Sequence, residues 1–208
     1  MRVKKKFHGS GPRSDKELFI SKAIDDACKK MRTAWPWTSM EFSIGKQIAD
    51  RIFVPLSDIS IDNRDNKAAV AYVMQRMYLY YIKKSGFSID NKKIAPLIER
   101  IVANRKMVKD GFSDDLSYYY YSTLASKNKY VKNMDNFLDV SSSWLSFYGE
   151  DEYNTGLFRD LIRQMFKIDS SIGKNGSEFL AYLKIGLKDN VYSHVDEISK
   201  KYYDITKT

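Results

Sequence analysis

Apolar residues recur along most of this chain at intervals of three and four, the spacing that lines one face of an α-helix. Phe19, Ile20, Ala23, Ile24, Ala27, Cys28 and Met31 form the first such stripe. Ser14-Asp15-Lys16-Glu17 stands just before it as a capping box, and Pro36 stops it. Thr38-Ser39-Met40-Glu41 has the form of a second capping box, and Ile44, Ile48 and Ile52 fall four apart, so a short helix is expected to about Phe53, where Pro55 ends it. Residues 55–65 carry turn formers and read as a loop. The third helix is expected from about Asp65 to Ser85, with Ala69, Val70, Val73, Met77, Tyr80 and Tyr81 on one face and Gly86 as the residue after its end.

Asp90 is placed to cap a fourth helix with Ile94, Leu97, Ile98, Ile101 and Val102 inward, Pro96 in its first turns and Gly111 beyond its end. Ser113-Asp114-Asp115 opens a fifth, its acids suiting the positive end of the helix dipole. A sixth is expected from about Tyr130 to Tyr148, then an acidic loop, Gly149 to Glu152. A seventh carries Leu157, Phe158, Leu161, Ile162, Met165 and Phe166. A loop at Gly173 to Gly176 leads to helices near 177–187 and 190–204. No alternating run longer than four residues stands out. The pattern therefore predicts an all-α fold, a compact bundle of about eight or nine short helices behind a flexible basic arm. The expected divisions are the arm, 1–13, a basic helical half, 14–110, and a near-neutral helical half, 111–208. The two halves are either separate subdomains or one continuous domain.

Composition agrees with a folded core: 43% of the 208 residues are hydrophobic and only four are proline. No apolar stretch approaches a membrane span, and the basic N-terminus is not followed by the apolar region of a secretory signal. The single cysteine, Cys28, cannot form an internal disulfide and sits at an apolar helical position. A cytoplasmic protein is expected, in the host cytoplasm if it is viral.

Charge changes the picture more. The net charge of +9 is unevenly distributed: residues 1–34 carry +6 and 67–110 carry +7, while 151–208 are neutral. Segregation of this kind is an electrostatic footprint for a polyanion. No catalytic or metal constellation accompanies it. His8 and His194 lie far apart in sequence and no zinc spacing exists. The acidic run Asp58 to Asp65 lacks the glycine and terminal glutamate of a calcium loop. Gly173-Lys174-Asn175-Gly176 lacks the order of a phosphate-binding loop. No cofactor, no metal and no enzyme activity are expected.

The aromatics sit beside the cations. Trp35 and Trp37 follow Lys29, Lys30 and Arg32. Tyr80 and Tyr81 precede Lys83 and Lys84. Tyr118 to Tyr121 are consecutive and cannot all face one core. Bases stack on such rings while phosphates pair with neighbouring cations. The candidate nucleic-acid-binding residues are therefore Lys4, Lys5, Lys6, Arg13, Lys29, Lys30, Arg32, Trp35, Trp37, Lys83, Lys84, Lys92, Lys93, Arg100, Arg105, Lys106, Lys109, Tyr118 and Tyr121.

Within residues 98–121, Val102-Ala103-Asn104 and the Gly111/Ser113-Asp114 start of an aromatic helix resemble the middle of the T4-type phage helicase-loading proteins. That resemblance implies a small, basic, tyrosine-rich helical protein that binds forked DNA and meets a larger replication protein. The expectation is a non-enzymatic binder of single-stranded or branched DNA or RNA, acting in replication, packaging or nucleoprotein assembly. The alternative is a protein–protein adaptor or assembly subunit whose basic arm docks an acidic partner. Oligomeric state is left open.

Overall fold

The structure, a computed structural model, describes residues 2–8, 12–36, 38–56, 66–86, 94–119, 174, 178 and 195–206. It is a mixed α/β fold, not the all-α bundle expected. Three parallel strands form a sheet in the order β1 (Arg2–Phe7), β2 (Ser39–Ile44), β3 (Ile52–Val54). The described helices are α1 (Asp15–Lys30), α2 (Asn66–Lys84), α3 (Ala95–Lys109), α4 (113–119) and α5 (Val195–Thr206). The expected sixth and seventh helices and the acidic loop between them lie outside the described residues, as does Asp90; the expected fourth helix is α3, which starts after Ile94 with no side-chain cap and with Pro96 in its first turn. Lys174, expected in a loop, is helical.

Residues 2–7 of the expected flexible arm, 1–13, form the edge strand β1. Its side chains alternate between the two faces of the sheet. Val3 and Phe7 pack on the core. Lys5 points the same way and donates from Nζ to Ser21 O at 2.9 Å and Ser21 Oγ at 3.0 Å on α1. One buried-side lysine thus interrupts the apolar alternation that would have marked the strand.

The expected helix at 38–53 is also corrected. Met40, Phe42 and Ile44 alternate with Glu41 and Ser43, and all three are buried in β2. Ile44 and Ile52, which looked like successive turns of one helix face, lie on neighbouring strands in register Phe42 to Ile52 and Ile44 to Val54. The connection at 45–51 is short for a parallel pair. Gly45 at φ 83° and Asp50 at φ 61° bend it. From α2, Tyr80 Oη donates to Asp50 O at 2.9 Å and Arg76 Nε donates to Phe53 O at 2.8 Å, holding loop and strand.

Helix α1 begins as expected. Ser14 Oγ accepts from Glu17 N, and Glu17 Oε2 accepts from Ser14 N at 2.9 Å. Its apolar stripe packs on α2 and β1, and α2 in turn packs on α3 and β3. Ile20, Ile24, Phe42, Ile52, Met74, Met77 and Ile101 centre one buried cluster. Leu116 and Ile198 join it from beyond the charge break at residue 110.

Candidate nucleic-acid interface

The strand register sorts the basic residues of the first block into two sets. Arg2 lies beside Ser39, Lys4 beside Glu41 and Lys6 beside Ser43, which in turn lies beside Phe53. These side chains share the face of the sheet turned away from α1. Arg2, Lys4 and Lys6 are all exposed there. Alternate residues on a strand are about 6.6 Å apart, so the three form a straight row of evenly spaced cations. Lys5, on the opposite face, is only 16% exposed at its side chain and pairs with Asp25 and Ser21. It is a structural group rather than a phosphate ligand.

Arg51 extends the outer face. Its guanidinium lies 3.4 Å from Glu41 Oε2, and Lys4 Nζ lies 2.8 Å from Glu41 Oε1. The hydrogen bond and charge of Lys4, helped by Arg51, hold the Glu41 carboxyl below its ordinary range. Glu41 is the single acid among the described strand residues on this face. At the carboxyl end of the sheet His8 follows β1 and Lys46 follows β2. Partial burial, together with Lys6, Lys46 and Arg51, lowers the His8 imidazole from its usual 6.5. Lys6 and Lys46 make no ion pair among the described residues. Arg13 stacks over the Phe7 ring at 4.2 Å.

The second basic block is arranged differently. Lys83 pairs with Glu99 at 3.0 Å, Lys106 with Asp110 at 3.1 Å, and Lys84 with Asp50. The hydrogen bond and charge of Lys84 lower the Asp50 carboxyl, and Asp50 raises Lys84 in return. Arg100 and Arg105 are half-buried and already engaged. Lys109 is exposed. On α1, Lys30 pairs with Asp115 of α4, while Lys29 and Arg32 are exposed and make no ion pair among the described residues.

Among the aromatics, Trp35 is only 8% exposed and sits edge-on to Tyr78 and Tyr81, each with ring centroids 5.6 Å away. It closes the end of α1 over α2 and offers no face to a base. Tyr118 is 41% exposed, with Lys67 5.7 Å from its ring. Trp37, Lys92, Lys93 and Tyr121 lie outside the described residues.

Comparison with protein-family models, with curated proteins and with solved structures gives no match.

The sheet face therefore rests on its own geometry. It brings together Arg2, Lys4, Lys6, Lys46 and Arg51, of which Arg2, Lys46 and Arg51 were not among the residues singled out in the sequence. The signal for Arg2 was the period-two run Arg2-x-Lys4-x-Lys6. Lys46 and Arg51 had none, because only strand pairing places them beside β1. Phe53 is the aromatic on this face, half-exposed, with the Arg76 guanidinium 5.6 Å from its ring. Among the described residues no group of acids, histidines and cysteine could hold a metal, and no helix is long and apolar enough to cross a membrane.

Proposed function

We propose that this chain binds nucleic acid, single-stranded or branched, across the outer face of its parallel sheet, without itself performing chemistry on it. The observation that carries the reading is the exposed row Arg2, Lys4 and Lys6 on β1, flanked by Arg51 and Lys46. A row of this kind follows an extended phosphate backbone, and Phe53 supplies a ring on the same face against which a base can stack. Pairing phosphates releases condensed counterions, so affinity should fall steeply with salt. Replication, packaging and nucleoprotein assembly are the settings in which such an activity serves. The resemblance of residues 98–121 to helicase-loading proteins points to the first.

The test is fluorescence anisotropy with an internally labelled, 5′-hydroxyl single strand and a matched duplex, titrated between about 50 and 200 mM salt. Each phosphate contact contributes about 0.7 to the log–log salt slope on a single strand, so replacing Arg2, Lys4 and Lys6 together with alanine should flatten the slope by about 2. Binding that ignores salt, or a triple variant that binds as the parent does, overturns the proposal. A stoichiometric complex with an acidic protein that survives nuclease would assign the same cations to a protein partner instead.

A further inference from the structure

The carboxyl end of the sheet has features that a backbone-tracking face does not need. In open α/β sheets, ligands bind beyond the carboxyl ends of the parallel strands. Here those ends bring His8 and Lys46 together. Gly45 has φ 83°, and a Cβ on it would stand 3.1 Å from Leu56 Cδ1 and 4.0 Å from the His8 carbonyl oxygen. A side chain there would press on Leu56, while the end of β1 lies at ordinary contact distance, so the ends of β1 and β2 stand side by side. Gly45 N donates to Val54 O at 3.0 Å, and Ser43 Oγ donates to Lys46 O at 2.6 Å. The backbone carrying Lys46 is therefore held from both sides.

Around this corner the charge is unbalanced. Lys6 stands on the outer face at the end of β1, and Lys6, Lys46 and Arg51 are all near enough to His8, which follows it, to act on the imidazole. The only acid the described contacts place there is Glu41, whose oxygens are shared between Lys4 and Arg51. His8 Nε2 is enclosed and has no hydrogen-bond partner among the described residues. Enclosed polar atoms are almost always satisfied, so this nitrogen, set among cations, is suited to a partner that the described residues do not supply.

We infer that Lys6, His8, Lys46 and Arg51 form a binding site for a phosphate monoester. A backbone diester carries one charge and meets one cation at a time. A monoester carries close to two charges near neutral pH and three equivalent acceptor oxygens. Two ammonium groups, a guanidinium and an imidazole match that demand. An arriving dianion reverses the field at His8, so the imidazole takes up a proton and Nε2 becomes a donor to a phosphate oxygen. The dianionic phosphate group the site takes comes either from a small molecule, a free nucleotide or inorganic phosphate itself, or from the terminal phosphate of a nucleic acid chain. The site stands apart from the sheet-face reading, since inorganic phosphate can fill it with no nucleic acid present.

The full chain has two histidines, His8 and His194, so their imidazole proton resonances can be assigned with His8→Gln. Titration with inorganic phosphate at constant ionic strength, with chloride as the control, should shift the His8 resonance saturably and raise its pKa by about one unit or more. His194 should not respond. Lys46→Ala and Arg51→Ala should each weaken phosphate binding about tenfold, with circular dichroism unchanged, and Arg51→Lys should recover part of it. The second arm compares 5′-phosphate, 3′-phosphate and unphosphorylated oligonucleotides. A preference for one phosphorylated end that disappears in Lys46→Ala identifies a nucleic-acid terminus as the source. Equal affinity for all three, with inorganic phosphate still binding, identifies a free small phosphate. No His8 shift with millimolar phosphate, or a shift untouched by Lys46→Ala and Arg51→Ala, overturns the inference. Salt-dependent oligonucleotide binding that persists in that case leaves the sheet-face proposal standing.

Discussion

Lys4 and Lys5 are neighbours in sequence and opposites in structure, and replacing each with alanine separates fold from function. Lys4 is 60% exposed and bonded only to the half-exposed Glu41. An exposed pair of this kind contributes about 0–1 kcal/mol, so Lys4→Ala should leave stability nearly unchanged. Lys5 is packed between β1 and α1, with its ammonium on Ser21 O, Ser21 Oγ and the Asp25 carboxylate. Charge-assisted hydrogen bonds contribute about 1.5–3 kcal/mol each when shielded. Asp25 and part of the site remain wet, which reduces that value, while loss of the aliphatic stem adds to it. A net cost of about 2 kcal/mol follows. For a chain of this size that lowers Tm by about 4–8 °C. Calorimetry measures the first quantity and oligonucleotide anisotropy over a salt series measures the second. Lys5→Ala should melt earlier and bind as the parent does below its transition. Lys4→Ala should melt normally and reduce the salt slope by about 0.7. Equal losses of affinity in both variants, or a thermally silent Lys5→Ala, would refute the assignment of the two faces.

Two further outcomes follow from the core. Burial, with Asp25 nearby, pushes the Cys28 thiol up to about 12, so at pH 8 a disulfide reagent should react with the folded chain far more slowly than with the urea-unfolded chain; equal rates would contradict its placement. Gln75 Nε2 donates to Asn104 Oδ1 at 2.8 Å between α2 and α3, both residues buried, so Asn104→Ala should destabilise by about 1–3 kcal/mol in urea unfolding, and a change under a few tenths would show that the bond contributes nothing.

The helical parts were legible because their signals are local. Ser14 and Glu17 satisfy each other's backbone within one turn, and Gly86, at φ 89°, takes the left-handed conformation that ends α2. The sheet was not legible, since its evidence is pairwise across distance. Six residues of β1 contain one inward ammonium, and three isoleucines at intervals of four imitate a helix face although two of them lie on separate strands. Trp35 was misplaced for a related reason. Its sequence neighbours Lys29, Lys30 and Arg32 are basic, yet its spatial neighbours are Tyr78 and Tyr81. The candidate site was readable at Lys4 and Lys6 and unreadable at Lys46 and Arg51, which join it only once β2 and β3 are laid beside β1.

Charge counted along the chain favours residues 67–110, at +7, over residues 1–34, at +6. Among the described residues, charge available to a ligand reverses that order. In the 67–110 block Lys83, Lys84 and Lys106 already hold carboxylates, Lys67 and Arg76 lie against rings, and Arg100 and Arg105 are engaged, leaving Lys109 exposed. A phosphate approaching Lys83 must compete with Glu99, and the displaced carboxylate, 14% exposed at its side chain, is left poorly solvated. A phosphate approaching Arg2, Lys6 or Lys46 meets cations with no acid partner among the described residues and displaces only water and counterions. The attraction is similar in both places, but the cost of freeing the cation is not. That difference is why the sheet face, rather than the helical cations that hold α2, α3 and the β2–β3 loop together, is the surface proposed for binding.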